Sequence, residues 1–586
     1  MKSIKLCFST VKFFLKSAPA FSTLFVINTI VSASKVYVLA IINKMLLNSL
    51  IEQIQSKSAE GISSVVFIIF VTFGIETVYS LYFHITRYLL TKFSMMYRDK
   101  MNLEFYKKIA NVDIAYYDSP TKRNQMTQAH KDMGSIETLF KSIVAMIVAF
   151  FSILTSFSII SQLDVVLVVS ILISLLPSFF VRKKMQKNSY ELEKSLNTTS
   201  REIGYMGGVF WNRYVAPEMK IYNHSVIFLK RLKALYNFSN NENLRLNFRN
   251  SCMELIGLII TGLVNIGYNV YIVLLIIANG LSAGDYSYYS TISGNFKSNI
   301  DTILSNISVC SVNLKKIENY NIFIKEPSQL KSGKQDIEPM KTIEFVNVSF
   351  SYPDSKQTVI NNLSFRINAG ERIAFAGLNG AGKSTVIKLL FRLYDPTSGI
   401  ILYNGRDIRS FNIDQYRKQF SALLQDSTVY SMSLRDNVIM SDYTKKSSDK
   451  TILELLKRAG LNVDMADLDL HVGKEFNSNG IILSKGQAQS LRLARMFHKD
   501  TMFCVFDEPA SNLDATIEKQ LFDQIFSNFS KKQTIILISH RLCNLKQVDK
   551  IIFLESGKNI ESGSHNELIA MQGEYYKLYC IQADRY

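Results

Sequence analysis

The feature that most constrains this chain is a series of long apolar runs confined to its first half. Five lie near residues 19–43, 62–90, 142–161, 163–181 and 252–279. Each is close to the roughly 20 residues that a helix needs to cross a bilayer core. In hydrocarbon every backbone polar group must be paired within the protein, so runs of this length read as membrane helices. A sixth run, near 286–311, is different. Its centre, STISGNFKSNIDTILSN, is too polar to face lipid. Ile292, Phe296, Ile300, Ile303 and Ile307 recur at helical spacing and form one stripe. Asn295, Asn299, Thr302 and Asn306 form a second, flanked by Lys297 and Asp301 one turn apart. A narrow greasy stripe beside a wide polar face predicts a helix lining a water-filled cavity. The alternative is a surface helix that never enters the membrane. Glu76, His84 and Arg87 in the second run, and Glu254, Asn265 and Asn269 in the fifth, are expected to face the bundle interior.

Charge gives the orientation. The chain has 586 residues and a net charge of +18. Such a balance often signals nucleic-acid binding, but here the basic residues sit between apolar runs, so no nucleic-acid partner is expected. The segment 92–140 holds Lys92, Arg98, Lys100, Lys107, Lys108, Lys122, Arg123 and Lys131, and 182–250 is richer still. SQLD (161–164) and NGLSAGD (279–285) hold no basic residue. The positive-inside rule then places both long loops, the N-terminus and the C-terminus in the cytosol of a multi-pass cell-membrane protein. MKSIK with SAS at 32–34 has the outline of a signal peptide, yet the apolar pattern runs on to Ile42, so no cleavage is expected. Six scattered cysteines form no C-x-x-C pair and suggest neither zinc nor a disulfide framework. Residues 326–340, EPSQLKSGKQDIEPM, are polar with two prolines and read as a linker. The expected organisation is a transmembrane domain over 1–325, this linker, and a soluble α/β domain over 341–586.

The soluble half carries phosphate chemistry. IAFAGLNGAGKSTVIKLLFRL runs as apolar strand, glycine-rich loop and apolar-periodic helix, and its loop fits G-x-x-x-x-G-K-[ST]. Strand before and helix after are the context this motif requires. Backbone N–H groups of Gly377, Asn379, Gly380, Ala381 and Gly382 can approach phosphate oxygens, with Lys383 reaching the β- and γ-phosphates. Ser384 offers a hydroxyl to Mg²⁺, Thr385 completes the loop, and the helix start adds favourable partial charge. Further on, MFCVFDEP (502–509) is a buried-strand run ending in two carboxylates. Asp507 suits the Mg²⁺ shell, and Glu508 suits the water that attacks the γ-phosphate.

On these residues the second half resembles the ABC transporter ATPases. Tyr352 in FSYP matches the aromatic that stacks on adenine. Gln425 in LLQDSTVYS matches the glutamine linking Mg²⁺ and water to the membrane domain. LSKGQ (483–487), with Ser484, Gly486 and Gln487, occupies the signature position. Asp514 in SNLD matches the D-loop, and His540 in LISHRL the switch histidine. The first half resembles the six-span exporter domain of the same family, which has two cytosolic coupling helices. DIAYYDSP (113–120) matches the first, and Trp211 to Glu218 is where the second is expected.

The resemblance implies an α-helical six-span membrane domain followed by a P-loop ATPase domain, in a half-transporter that binds ATP and Mg²⁺ and exports its cargo. One chain's phosphate loop then faces its partner's signature. A homodimer is expected because every catalytic residue type is present; a heterodimer is the alternative. EF..NG before the signature and DEP after it look more like bacterial peptide exporters of the lantibiotic type than lipid flippases. The cargo expected is therefore a peptide or amphipathic molecule, with lipid or multidrug export as the alternative. A non-transporting regulator or channel is a further reading that the intact Lys383, Asp507, Glu508 and His540 oppose. No peptidase-like domain precedes the first span, so leader cleavage by this chain is not expected.

The signature departs from its usual form, with Lys485 where glycine is expected. Ser484-x-x-Gln487 has the form of a capping box, which places Lys485 at the first helical position and Gly486 at the second. The first position has ordinary helical angles, so glycine is not required there.

Overall fold

The computed structural model describes residues 19–56, 62–212, 214–355, 357–425, 427–510, 515–530 and 532–583. They divide into two compact units, Met1–Ala110 with Asn124–Glu326, and Asn111–Arg123 with Pro327–Tyr586.

The first unit is helical. Its helices are α1 (Pro19–Ser56), α2 (Ile62–Ala110), α4 (Pro120–Leu163), α5 (Val165–Ser195), α6 (Asn197–Trp211), α7 (Ala216–Ile221), α8 (Ser225–Ala278) and α9 (Ala283–Lys325). The short α3 (Ala115–Asp118) falls in the second unit. Among the described residues, α1, α2, α4, α5 and α8 are long and apolar enough to cross a membrane, and α9 is not. The helices outrun the apolar runs that signal them. With 54 residues, α8 extends about 80 Å, against about 30 Å of hydrocarbon. Asp164 caps α5 through a 2.8 Å bond from the Val166 N–H, which fixes the turn between α4 and α5. A capping box between Ser282 and Asp285 starts α9, and Lys44 pairs with Asp285 at 2.5 Å.

Ala40, Ile160, Leu167, Ile171, Ile272, Ile276, Ile292 and Phe296 form the buried centre of the bundle. From Phe296 the packed line continues through Ile300 and Leu304, an i, i+4 ridge. The expected stripe through Ile303 leaves this ridge, and Ile307 ends exposed. Phe67, Phe70 and Phe73 on α2 are exposed within the chain, as side chains facing lipid are. Glu76, His84, Arg87 and Glu254 are also exposed, so a single chain does not fold them inward as the sequence led us to expect. Asn265 does turn toward α9, where it accepts from Lys297 at 2.6 Å.

The second unit is built on two sheets. An antiparallel sheet has the order β2-β1-β4-β5, from β1 (Thr342–Ser351), β2 (Thr358–Asn368), β4 (Ser398–Tyr403) and β5 (Arg406–Asp407). The other has the order β10-β9-β3-β8-β7-β6, from β3 (Arg372–Ala376), β6 (Phe420–Leu423), β7 (Phe503–Asp507), β8 (Thr534–Ile538), β9 (Lys550–Glu555) and β10 (Lys558–Gly563). Strands β9, β3, β8, β7 and β6 run parallel. Strands β3, β7 and β8 at its centre are buried on both faces, which is why they read as apolar runs. Ala374, Cys504, Phe506, Ile535 and Leu537 serve one core, and Phe375, Phe503, Val505, Ile536 and Ile538 the other.

Segment 111–123 joins this unit through side chains as well as packing. Ala115 and Tyr116 are buried. Asp113 accepts from the Ser328 hydroxyl at 2.5 Å and the Gln329 N–H at 2.6 Å. Residues 327–340 are also clasped to the unit. Gly333 N–H donates to Phe411 O at 2.9 Å, and Gln335 N–H to Ser410 O at 3.1 Å. Buried Arg392 donates to Lys331 O at 2.8 Å.

Candidate nucleotide site

The site grows from the carboxyl ends of neighbouring parallel strands, where open α/β sheets bind their ligands. Phe375 of β3 stands opposite Ile538 of β8, and Ile538 opposite Asp507 of β7. Their common register brings out Gly377, Ser539–His540 and Glu508 side by side. Leu423, opposite Phe506, ends β6 two residues before Gln425.

Gly377 and Gly382 bend the phosphate loop through φ of +139° and +99°. A Cβ at Gly377 meets the Leu554 carbonyl, and one at Gly382 meets Ile360 and the Val359 carbonyl. Only glycine fits either place. Helix α10 (Lys383–Leu390) then starts from Gly382 with its first N–H groups toward the loop. Lys383 is buried and donates to Gly377 O at 2.9 Å and Leu378 O at 3.0 Å. Burial holds its pKa below the ordinary lysine value, against the pull of Glu508 and Asp507. Asp507 is buried at the strand end, where it meets the Ser384 hydroxyl. Burial first, then Glu508, push its pKa up to about 6. Its Oδ1 is buried with no hydrogen-bond partner. An orphaned carboxylate oxygen beside a hydroxyl, behind a loop only glycine can line, fits a divalent cation carried on a triphosphate.

Glu508 follows with φ of +50° and an N–H bonded to Ile538 O at 3.0 Å. This turn aims its carboxylate at His540, whose Nε2 it pairs with. Glu508 and Gln425 border one cavity of about 300 Å³ together with Ser484, Lys485, Gln489 and Arg492. The expected capping box is present. Ser484 N–H donates to Gln487 Oε1 at 2.9 Å, and Gln487 N–H to Ser484 Oγ at 3.2 Å, at the start of α11 (Lys485–Lys499). Among the described residues a Cβ at Gly486 meets only Ile517, at ordinary contact distance, so none of them places a steric demand on this glycine.

The fold thus gathers Gly377, Asn379, Gly380, Ala381, Gly382, Lys383, Ser384, Thr385, Asp507, Glu508 and His540 on adjacent strand ends. Gln425 and Ser484 share a cavity with Glu508, whereas Gly486 and Gln487 line a separate one beside Ile517. Asp514 lies outside the described residues. Tyr352 stands half-buried beside the loop, its hydroxyl 3.0 Å from Thr385 Oγ1. Sequence reasoning missed its other neighbours, Tyr394 and Lys388. No spacing rule reveals them, because they come from different elements and are chemically unremarkable.

Residues 360–511 match the ABC transporter family. The chain is 27% identical over 529 residues to the subtilin transport ATP-binding protein SpaT of Bacillus subtilis, covering 88% of this chain and 85% of that protein. It is 26% identical over 521 residues to the nisin transport ATP-binding protein NisT of Lactococcus lactis subsp. lactis, covering 87% of this chain and 86% of that one. Among solved structures, a bacterial Atm1-family ABC exporter with ATP bound shares the fold at a TM-score of 0.79 and 19% identity, over 95% of this chain and 99% of its own.

Proposed function

We propose that this chain, which is an ABC transporter with fused membrane and ATPase domains, exports a peptide across the cell membrane by alternating access. Its second unit is an ABC ATPase, and ABC exporters hydrolyse ATP to drive transport. The observation that carries the peptide reading is the polar face of α9. Lys297 meets Asn265 at 2.6 Å, and Asp301 meets Arg182 at 2.8 Å, on helices that bury apolar residues elsewhere. Charges kept at such positions are costly and mark a pathway for a polar cargo. Subtilin and nisin, which the two relatives transport, are the same class of cargo.

In this reading the ATP site works as follows. Backbone N–H groups of Gly377 to Gly382 and the Lys383 ammonium hold the phosphates, and Tyr352 stacks on the base. Ser384, Asp507 and Gln425 would hold Mg²⁺, which would supply charge neutralisation for the phosphate oxygens. Glu508 takes the proton of the attacking water, with His540 orienting its carboxylate. Ser484, Gly486, Gln487 and Asp514 serve the nucleotide of a second copy, making the working unit a homodimer. Both termini lie in the cytosol, and the domain boundaries fall at residues 325 and 341.

The test is ATPase activity in liposomes with subtilin or nisin as probe peptides. Stimulation in the wild type, lost in Lys297→Ala and Asp301→Asn, is the expected result. Stimulation by lipids or amphipathic dyes instead of peptides moves the reading to lipid or drug export. If the two substitutions leave peptide stimulation intact, α9 is not the cargo path.

A further inference from the structure

Within the second unit, a line of contacts joins segment 111–123 to Tyr352. Asp118, the last residue of α3, accepts a hydrogen bond from the Tyr394 hydroxyl at 2.6 Å. The same carboxylate oxygen faces the Lys388 ammonium at 3.5 Å. Lys388 belongs to α10, and its Nζ stands over the Tyr352 ring, 5.0 Å from the centroid. Tyr394 meets the Tyr352 ring edge-on, with centroids 5.5 Å apart and planes at 88°. Phe350 packs against both rings, at 5.0 and 5.3 Å. The neighbouring residue makes a parallel link: the Ser119 hydroxyl donates to Asp354, which follows Tyr352 by two residues with φ of +64°.

The Tyr352 ring is therefore set by Thr385 at its hydroxyl, by Phe350 from the end of β1 just before it, and by Tyr394 and Lys388. The last two both end on Asp118. Burial, and after it Asp118, hold the Tyr394 phenol far above its ordinary range, so it remains a donor at any physiological pH. Asp118 itself touches no part of the phosphate loop. Its influence passes through the aromatic ring and the ammonium it holds.

We propose that Asp118 is a positioning residue for the nucleotide base: through Tyr394 and Lys388 it fixes the Tyr352 ring against which adenine stacks. The proposal rests on reading Tyr352 as the stacking residue. Because coupling free energy is reciprocal, base binding in turn favours the docked position of segment 111–123.

The test compares Mg²⁺-ATP with Mg²⁺-tripolyphosphate, which has phosphates but no base, on the full-length protein in lipid. Asp118→Ala removes both contacts, and Asp118→Asn keeps an acceptor for Tyr394 while losing the charge facing Lys388. The expected result is about a 5- to 10-fold rise in Kd and KM for ATP in Asp118→Ala, a smaller rise in Asp118→Asn, and little change in kcat. Tripolyphosphate affinity should not move, and Tyr352→Ala/Asp118→Ala should bind ATP no more weakly than Tyr352→Ala alone. Equal losses for ATP and tripolyphosphate reduce Asp118 to a structural role and overturn the proposal. If Tyr352→Ala weakens ATP while both Asp118 variants do not, the proposal falls and the stacking reading stands. If Tyr352→Ala itself leaves ATP affinity unchanged, both fall.

Discussion

Asp507 and Glu508 are chain neighbours, yet the fold gives them different surroundings. Asp507 ends a strand, and its side chain stays in the sheet's interior, beside Ser384. Glu508 takes a left-handed turn and pairs with His540 near the surface. A carboxylate placed for proton transfer contributes about 10²–10⁴-fold to rate. Glu508→Gln, which keeps shape and hydrogen bonding, should lose that factor in kcat while ATP still binds; retained hydrolysis would place the base elsewhere. Lys485 offers a second residue-scale test. At the first position of α11 it opposes the helix dipole, at a cost of about 0.3–1 kcal/mol for an exposed side chain. Facing a triphosphate on a second copy, the same charge becomes favourable. Lys485→Gly should then raise the KM for ATP, more at low salt than at high salt; an unchanged KM at both rejects the role. The cap at Ser484 was legible in the sequence because it closes within four residues. The Asp118–Tyr394 bond was not, because its partners are 276 residues apart and Tyr394 belongs to no motif that would pair it with DIAYYDSP.

At the scale of elements, the C-terminal turn of α11 contains a group that ties stability to pH. His498 is fully buried, with Ser441 Oγ 2.8 Å from Nδ1 and Ser447 Oγ 3.0 Å from Nε2. Its carbonyl accepts from Lys445 at 2.8 Å. Burial, then the Lys445 charge, hold its pKa below the ordinary histidine value, and Asp442 only partly offsets them. The unfolded chain takes up a proton near pH 6.5 (about the model-peptide value), whereas the folded chain does so only at lower pH. In that window the unfolded state binds more protons, so this contribution is full above about pH 6.5 and declines as pH falls toward the folded value. The unfolding midpoint of the ATPase unit should therefore drop between about pH 7.5 and pH 5.5. His498→Gln should flatten that slope, and parallel curves for the two proteins would show that His498 does not set it. Elements differ in how openly the sequence announces them. Strands β3 and β7 were plain, because both faces are buried and nearly every residue is apolar. The ends of α2 and α8 were not, because a membrane helix continues into water with polar residues that no longer mark a boundary. The packed ridge of α9 depends on which neighbours it meets, and hydrophobic spacing alone could not choose Leu304 over Ile303.

For the whole molecule, the test concerns where a complete site comes from. Lys383 and Ser484 stand on different elements of one chain, and among the described residues nothing demands that position 486 be glycine. If Gly486 is there to admit a nucleotide held by a second copy, each site draws its phosphate loop from one chain and its signature from the other. Two crippled chains then make a decisive pair. Lys383→Ala destroys both sites of its own homodimer through the loop, and Gly486→Asp destroys both through the signature. When the two are co-expressed, one site of each mixed dimer combines both lesions. Its other site combines an intact loop with an intact signature. Random pairing makes half the dimers mixed, with one good site in two, so hydrolysis should return to about a quarter of the wild-type rate. Sites built within one chain, or chains that do not pair, leave the mixture as inactive as either parent. A heterodimer with a different chain is separated by the same preparation, since the wild-type chain alone then lacks both activity and the mass of a dimer.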